Sequence, residues 1–197
     1  GKTQPLIVMN GVPIRDGEVS NNDYWGDQRI RGNGLLDINP EDIENISILK
    51  GASAAALYGA EAIGGLVNFL SQPAPSKKTL NLTTQVNNTG FTKMDIAGGI
   101  PTKKGGWAIN GSFTNQKNGA TEFSDFDKKA FSIKKEFVLN KKLKGYQTLN
   151  YIEYYTQMTG SLDSIKFSQK NFSSQQTFTF RKIKALRLRQ NLQYDWN

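Results

Sequence analysis

Two of the side chains most useful for chemistry are missing: the 197 residues contain no cysteine and no histidine. That removes thiol nucleophiles, disulfides, Cys/His zinc sites and every Ser-His-Asp relay. Carboxylates remain. Asp125 with Asp127, and Asp23 with Asp27, could serve as acid/base pairs for glycoside hydrolysis. With 17 acids in the chain such pairs arise by chance, and they read as solvated loop residues. Asn21, Asp23, Gly26 and Asp27 imitate part of a calcium loop. Trp25 holds its fifth position and Gly32 its twelfth, where a bidentate Glu belongs, so an EF-hand is excluded and only a looser oxygen site is left. Gly1-Lys2-Thr3 ends like a phosphate-binding loop but leads into Pro5 and an extended apolar run, and Gly32-Asn33-Gly34 lacks the third glycine of a dinucleotide fingerprint. The expectation is a protein without catalysis, metal or cofactor.

Charge suggests partners instead. Twenty-five basic residues against 17 acids leave a net charge of +8, enough to attract nucleic acid or an anionic membrane surface. The distribution argues against a nucleic-acid groove. Lysines come in pairs at turn-like positions, Lys77-Lys78, Lys103-Lys104, Lys128-Lys129 and Lys141-Lys142, where solvated strand ends explain them. Only the strip Arg181, Lys182, Lys184, Arg187, Arg189 is denser.

The elements that carry these residues are mostly strands. Leu6 to Met9 is an apolar run ended by the turn dipeptide Asn10-Gly11, and Val12-Pro13-Ile14 resumes in extended form, which predicts a buried hairpin. Arg15 to Gly34 is polar and Gly/Asn-rich around Tyr24-Trp25 and reads as a long exposed loop. Asn39-Pro40-Glu41-Asp42 has the form of a helix start, with a capping Asn, Pro in the first position and acids in the first turn. A strand through Ile43, Ile46, Ile48 and Leu49 follows, ending at Lys50-Gly51. Ser53 is expected to cap a second short helix that Gly59 stops, and another buried strand runs from Leu66 to Leu70. The first 70 or so residues thus form a small α+β unit.

Beyond Pro73-Ala74-Pro75 the period becomes two. Leu80, Leu82, Thr84 and Val86 alternate with polar residues, as do Trp107, Ile109, Gly111 and Phe113, and Phe178 with Phe180. Most plainly, Leu186, Leu188, Leu192, Tyr194 and Trp196 alternate with Arg187, Arg189, Asn191 and Gln193. Segments of roughly ten residues are separated by turns at Lys103-Lys104, Lys141-Lys142 and Thr159-Gly160, long enough for strands that cross a bilayer. Phe91, Trp107, Phe113, Tyr151, Tyr154, Tyr155, Tyr194 and Trp196 recur near segment ends, as interface aromatics do. A soluble basic β-sandwich that binds polyanions explains the alternation equally well, and on this region alone both readings stand.

Three stretches of the first 70 residues resemble the plug of TonB-dependent outer-membrane receptors. They are Pro5 to Ile14 with its Asn10-Gly11-Val12-Pro13 turn; Ile38 to Gly51, with Asn39, Pro40, Asp42, Ile43, Glu44, Lys50 and Gly51 at the family's positions; and Ala52 to Phe69, with Ser53, Tyr58, Gly59 and Gly65. The wording of the second and third is similar to the SusC/RagA branch, from which Asn10 departs by standing where that branch has Asp, whereas Ala62-Ile63-Gly64-Gly65 looks more like siderophore and vitamin receptors. The resemblance implies a mostly β protein: the C-terminal part of a plug over residues 1–72, a linker over 73–78, and antiparallel transmembrane β-barrel strands over 79–197. A family barrel has roughly 22 strands. Six to eight strands cannot close, so the sequence is expected to be part of a longer protein or a set of joined segments.

The implied function is active uptake of a nutrient (a glycan, peptide or metal chelate) across the outer membrane of a Gram-negative bacterium. The implied partners are TonB, gripping a segment that precedes Gly1, a SusD-like surface lipoprotein, outer-membrane lipid and the small nutrient, with no nucleic acid. With loop 15–34 at the plug apex, Asp23, Tyr24, Trp25, Arg29 and Arg31 are the candidate ligand contacts, the rings stacking on a sugar or amide face.

Overall fold

The computed structural model describes residues 5–14, 38–117, 119, 122–157, 164–169 and 180–196. Contacts group the chain into two units, Gly1–Pro73 and Ala74–Asn197.

In the first unit the hairpin forms as its turn chemistry dictates: β1 (Leu6–Met9) pairs antiparallel with β2 (Val12–Pro13) through Asn10 and Gly11, whose φ angles are 51° and 79°. Positive φ at both central positions suits Asn-Gly and keeps the turn's twist that of the strands. Asn39 caps a 3₁₀ turn at Pro40–Asp42, its side-chain oxygen accepting from the Glu41 N–H at 3.3 Å. The chain then enters β3 (Ile43–Leu49), α1 (Ala52–Tyr58), a second 3₁₀ turn at Gly59–Ala62, and β4 (Leu66–Ser71).

The sheet order is β2-β1-β4-β3, with β1 and β4 parallel and β3 antiparallel to β4. The central strands β1 and β4 are packed on both faces, while most of the edge strand β3 is exposed. Ile7, Met9 and Phe69 meet Ile14 and Ile38 on one side; Val8 and Leu66 meet Ala54 and Ala62 of the helical segment on the other. One expectation is corrected here: Ser53 caps nothing. The amides of Ala54 and Ala55 both reach the Gly51 carbonyl, so the helix starts at Ala52 and Ser53 lies inside its first turn, with no side-chain cap bond.

The second unit is a six-stranded antiparallel meander, in the order β10-β9-β8-β7-β6-β5. Its strands are β5 (Thr79–Val86), β6 (Phe91–Thr102), β7 (Gly105–Gln116), β8 (Phe126–Val138), β9 (Leu143–Gln157) and β10 (Phe180–Tyr194). Connections alternate in length. Short turns (Lys103-Lys104 and 139–142) close one end, and the other end carries 87–90, 117–125 and the 22 positions between Gln157 and Phe180.

Lys128-Lys129 proves not to be a turn: both lie inside β8, where Lys129 pairs with Phe113 and Glu153 across the sheet. Part of the awkward stretch 161–170 is a short helix, α2 (Ser164–Ser168). Tyr151 sits mid-strand in β9 instead of near an end. The expected turn at Thr159-Gly160 and the position of Phe178 fall outside the described residues.

Candidate functional site

In an antiparallel sheet, directly paired residues share a face. Following the register from Leu82 leads through Ile96, Gly111, Phe131 and Tyr151 to Leu186. The neighbouring row runs from Leu80 through Gly98, Ile109, Ile133 and Leu149 to Leu188. This face is apolar, and it is exposed: Leu80 is 78% accessible, Leu186 69% and Leu188 72%. In water each such side chain forgoes roughly 1.5–3 kcal/mol of burial.

The opposite face is polar, and much of it is buried. Asp95, Asn110, Ser112, Thr114, Ser132 and Thr148 are among the buried residues. Ser112 donates to Asp95 at 2.6 Å, Lys93 holds the other oxygen of that carboxylate at 2.6 Å, and Lys134 pairs with Glu136 at 2.9 Å. A small apolar patch of Ala130, Ile152 and Tyr154 interrupts this face. The amphipathicity is therefore the reverse of a soluble sandwich, which turns its apolar face inward.

The apolar band does not run square to the strands. On β5 it reaches up to Val86, which the register aligns with Lys182 of β10; on β10 it has ended by Leu186 and instead extends down to Tyr194. The drift of about four to six residues is roughly 13–20 Å, across five strand spacings of about 4.8 Å each. A level band then requires strands tilted by about 30–40°, close to the tilt that closed barrels need. Length and tilt together suit strands that cross a bilayer. Among the described residues no helix is long and apolar enough to do so.

Alternation divides the basic strip. Arg181, Arg187 and Arg189 lie on the polar face, while Lys182 and Lys184 lie on the apolar one beside Glu153, whose carboxylate accepts from the Tyr151 hydroxyl at 2.7 Å. The strip is not one patch. Of the carboxylate pairs, Asp127 is taken up by Asn115 at 3.2 Å and Lys129 at 3.7 Å on its own sheet, and Asp125 lies two residues away on the same chain segment. Neither faces the other across a cleft as hydrolysis requires. No cluster of three potential metal-ligating residues occurs among the described residues. The candidate ligand contacts Asp23, Tyr24, Trp25, Arg29 and Arg31, and the partial calcium loop, lie outside the described residues.

The motif residues of the first unit converge. The Asn10 side chain donates to the Ser71 hydroxyl and accepts from the Ser71 N–H, both at 2.9 Å. Gly11 N–H donates to the Asn68 side chain at 3.2 Å, and the Tyr58 hydroxyl donates to the Gly11 carbonyl at 3.0 Å. The first and third motif stretches are thus tied together across the hairpin turn. Pro13 continues β2 opposite Val8, Asn39 and Asp42 are buried at the 3₁₀ turn, Ile43 and Glu44 open β3, and Lys50-Gly51 lead into α1. Gly65 passes close to the Leu49 carbonyl. Asn68 and Ser71 were not singled out in the sequence. The signal was a polar Asn in the middle of the run Leu66 to Leu70, where a buried strand has no other use for it.

Comparisons with known proteins agree with this architecture. The family model described as "TonB-dependent Receptor Plug Domain" matches residues 1–66. The chain is 30% identical over 121 residues to the vitamin B12 transporter BtuB of Photobacterium profundum, covering 60% of this chain and 17% of that protein. It is 40% identical over 65 residues to the TonB-dependent receptor SusC of Bacteroides thetaiotaomicron, covering 32% of this chain and 5% of that one. The chain therefore spans less than a fifth of the length of these relatives. Among solved structures, the unliganded ferric citrate transporter FecA superposes over 100% of this chain and 29% of its own, with TM-score 0.70 at 16% identity. The Pseudomonas aeruginosa receptor FpvA in its pyoverdine complex covers 97% of this chain and 25% of its own, with TM-score 0.72 at 13% identity. At those identities the superpositions establish the fold, mostly β with barrel strands, while residues 1–66 match the plug-domain family of TonB-dependent receptors and the named relatives are TonB-dependent receptors and transporters to which this chain is similar.

Proposed function

We propose that this chain is part of a transporter that takes up a nutrient across the outer membrane of a Gram-negative bacterium. Residues 1–72 serve as the C-terminal part of its plug, 73–78 as a linker, and 79–197 as strands of its barrel wall. The single observation that carries the reading is the inverted sheet: apolar side chains exposed on one face, polar side chains buried on the other. Lipid would cover the first face and the second would line the lumen, as in other transmembrane barrels.

The protein would perform no covalent chemistry. A small ligand would dock on extracellular loops and on the plug apex, with Asp23, Tyr24, Trp25, Arg29 and Arg31 as the contacts, and TonB would pull from the periplasmic side. Part of the plug must then yield locally, since a rigid one would close the lumen permanently. The nutrient class (glycan, peptide or metal chelate) follows the branch. The SusC similarity brings a SusD-like surface lipoprotein into consideration as lid, while BtuB and the siderophore receptors point to chelates.

The test is growth and uptake by cells carrying the full-length receptor gene, with and without TonB, on candidate glycans, peptides and chelates, alongside fractionation of the outer membrane. TonB-dependent uptake of one class, with the receptor in detergent-extracted outer membrane, is the expected result. A freely soluble folded protein would overturn the reading in favour of the polyanion-binding sandwich.

A further inference from the structure

The net charge is not spread evenly over the second unit. At the end of the sheet closed by short turns, Lys77, Lys78, Lys103, Lys104, Lys141 and Lys142 are all exposed. The chain delivers them there by topology: β5 starts at that end, and the β6–β7 and β8–β9 turns close it. Lys135 and Lys144 join them from the adjoining strand positions. Among the described residues of the second unit only two acids stand near, and both are engaged: Glu136 with Lys134 at 2.9 Å and Asp195 with Lys144 at 3.5 Å. The opposite end is less one-sided: among the described residues Lys117, Lys128, Lys129, Arg181, Lys182 and Lys184 stand against four acids, beside the paired Lys93 and Asp95. Its turn 87–90 carries no charge, and its lysines and Arg181 are interspersed with Glu122, Asp125, Asp127 and Glu153.

The position of the collar identifies what it meets. Lys135 is on the apolar face, its ammonium 5.0 Å above the Trp107 ring, and Trp107 is itself exposed in the apolar band. Tyr194 and Trp196 make an edge-on pair at the same end, with centroids 5.0 Å apart. Aromatic rings with lysines beside them at the margin of an exposed apolar band are the pattern of a membrane–water interface. A free polyanion would give no reason for the charge to border an apolar face. We propose that the lysine collar is a docking surface for anionic phospholipid headgroups in the leaflet that the short turns meet, an inference resting on the membrane reading above. Flexible ammonium side chains suit this role: each is a compact point charge that can follow a phosphate, and near an anionic surface each strengthens attachment about fivefold.

The experiment uses the full-length receptor purified in a zwitterionic detergent and titrated with phosphatidylglycerol or phosphatidylcholine. Thermal unfolding and the lipids retained in native mass spectrometry are read together. The wild type is expected to gain several degrees more from phosphatidylglycerol and to retain it in preference by tenfold or more. The variant K103Q/K104Q/K141Q/K142Q is expected to lose most of that excess. The variant K129Q/K182Q/K184Q, at the opposite end, is expected to keep it. Should the fourfold variant fail to fold, the two pairwise variants each lose part of the excess. Equal excess in the turn variants and the wild type, or none in the wild type, overturns the proposal while leaving the transporter reading intact. Absence of the receptor from purified outer membrane overturns the transporter reading itself.

Discussion

The two units of this chain use the same β-strand alternation to opposite ends. In the first, apolar residues of the two central strands of a four-stranded sheet are buried on both faces, while Ile46 and Ile48 of the edge strand β3 stay exposed: Val8 is fully buried and Leu66 nearly so, under Ala54 and Ala62. In the second, the apolar positions of β5 and β10 face outward, and Asp95, Ser112 and Ser132 are buried instead. Period two says only that a strand has two unlike faces; the medium on each side decides which face is the inner one. The contrast teaches that alternation alone does not say which face is inward, and it is what the proposed transporter needs: one unit built for water and one for hydrocarbon.

The contrast can be broken most severely in the first unit. Leu66→Ala removes a side chain that is 1% exposed, and should cost about 4 kcal/mol, read as faster hydrogen exchange of the β1 and β4 amides. The mirror experiment is Ile109→Arg, on the exposed face of β7. In water such a change would be nearly silent, but at mid-bilayer it costs about 3 kcal/mol, measured as refolding yield into lipid vesicles. An unchanged yield would mean that this face does not meet lipid.

Smaller effects sharpen the comparison. Gly65→Ala places a Cβ 3.2 Å from the Leu49 carbonyl at a φ of +101°, and should cost about 2 kcal/mol without affecting barrel insertion. Asn10→Ala deletes both bonds to Ser71 and should cost about 1 kcal/mol, again confined to exchange in the first unit. Thr148→Val, on the polar face, should change stability by less than about 0.5 kcal/mol. Its hydroxyl is buried with no hydrogen-bond partner among the described residues, so replacing it with a methyl of similar size forfeits no bond there. A large loss there would reveal a partner for that hydroxyl.

Much of the fold was legible because its signals are local. Asn10-Gly11 specifies a turn by its own φ preferences, Asn39-Pro40 specifies a 3₁₀ or helical start, and the alternation in β10 can be read without knowing its neighbours. The misreadings share one cause, which is that a local rule had two outcomes. Lys128-Lys129 looks like the turn pairs Lys103-Lys104 and Lys141-Lys142, but no glycine or asparagine flanks it as Gly105 and Asn140 flank those. Ser53 is a good cap by type, yet the chain turns two residues earlier, at Gly51. Of the candidate site, the tie among Asn10, Gly11, Tyr58, Asn68 and Ser71 was half visible: its members' types stood out, but not their pairing over 47 to 61 residues.

By itself, then, the sequence determined the strands, the tight turns, the absence of thiol and imidazole chemistry, and the net basic balance with its lysine pairs at the tight turns. All of these depend on residues within a few positions of one another, or on composition. Only the tertiary structure decided that β1 lies parallel to β4, that the basic strip of β10 divides between two faces, that the turn lysines gather at one end of the sheet, and that the apolar face of the second unit is the exposed one. Those features depend on register between strands far apart in the chain, and register is set by the summed fit of many side chains, which no single segment contains.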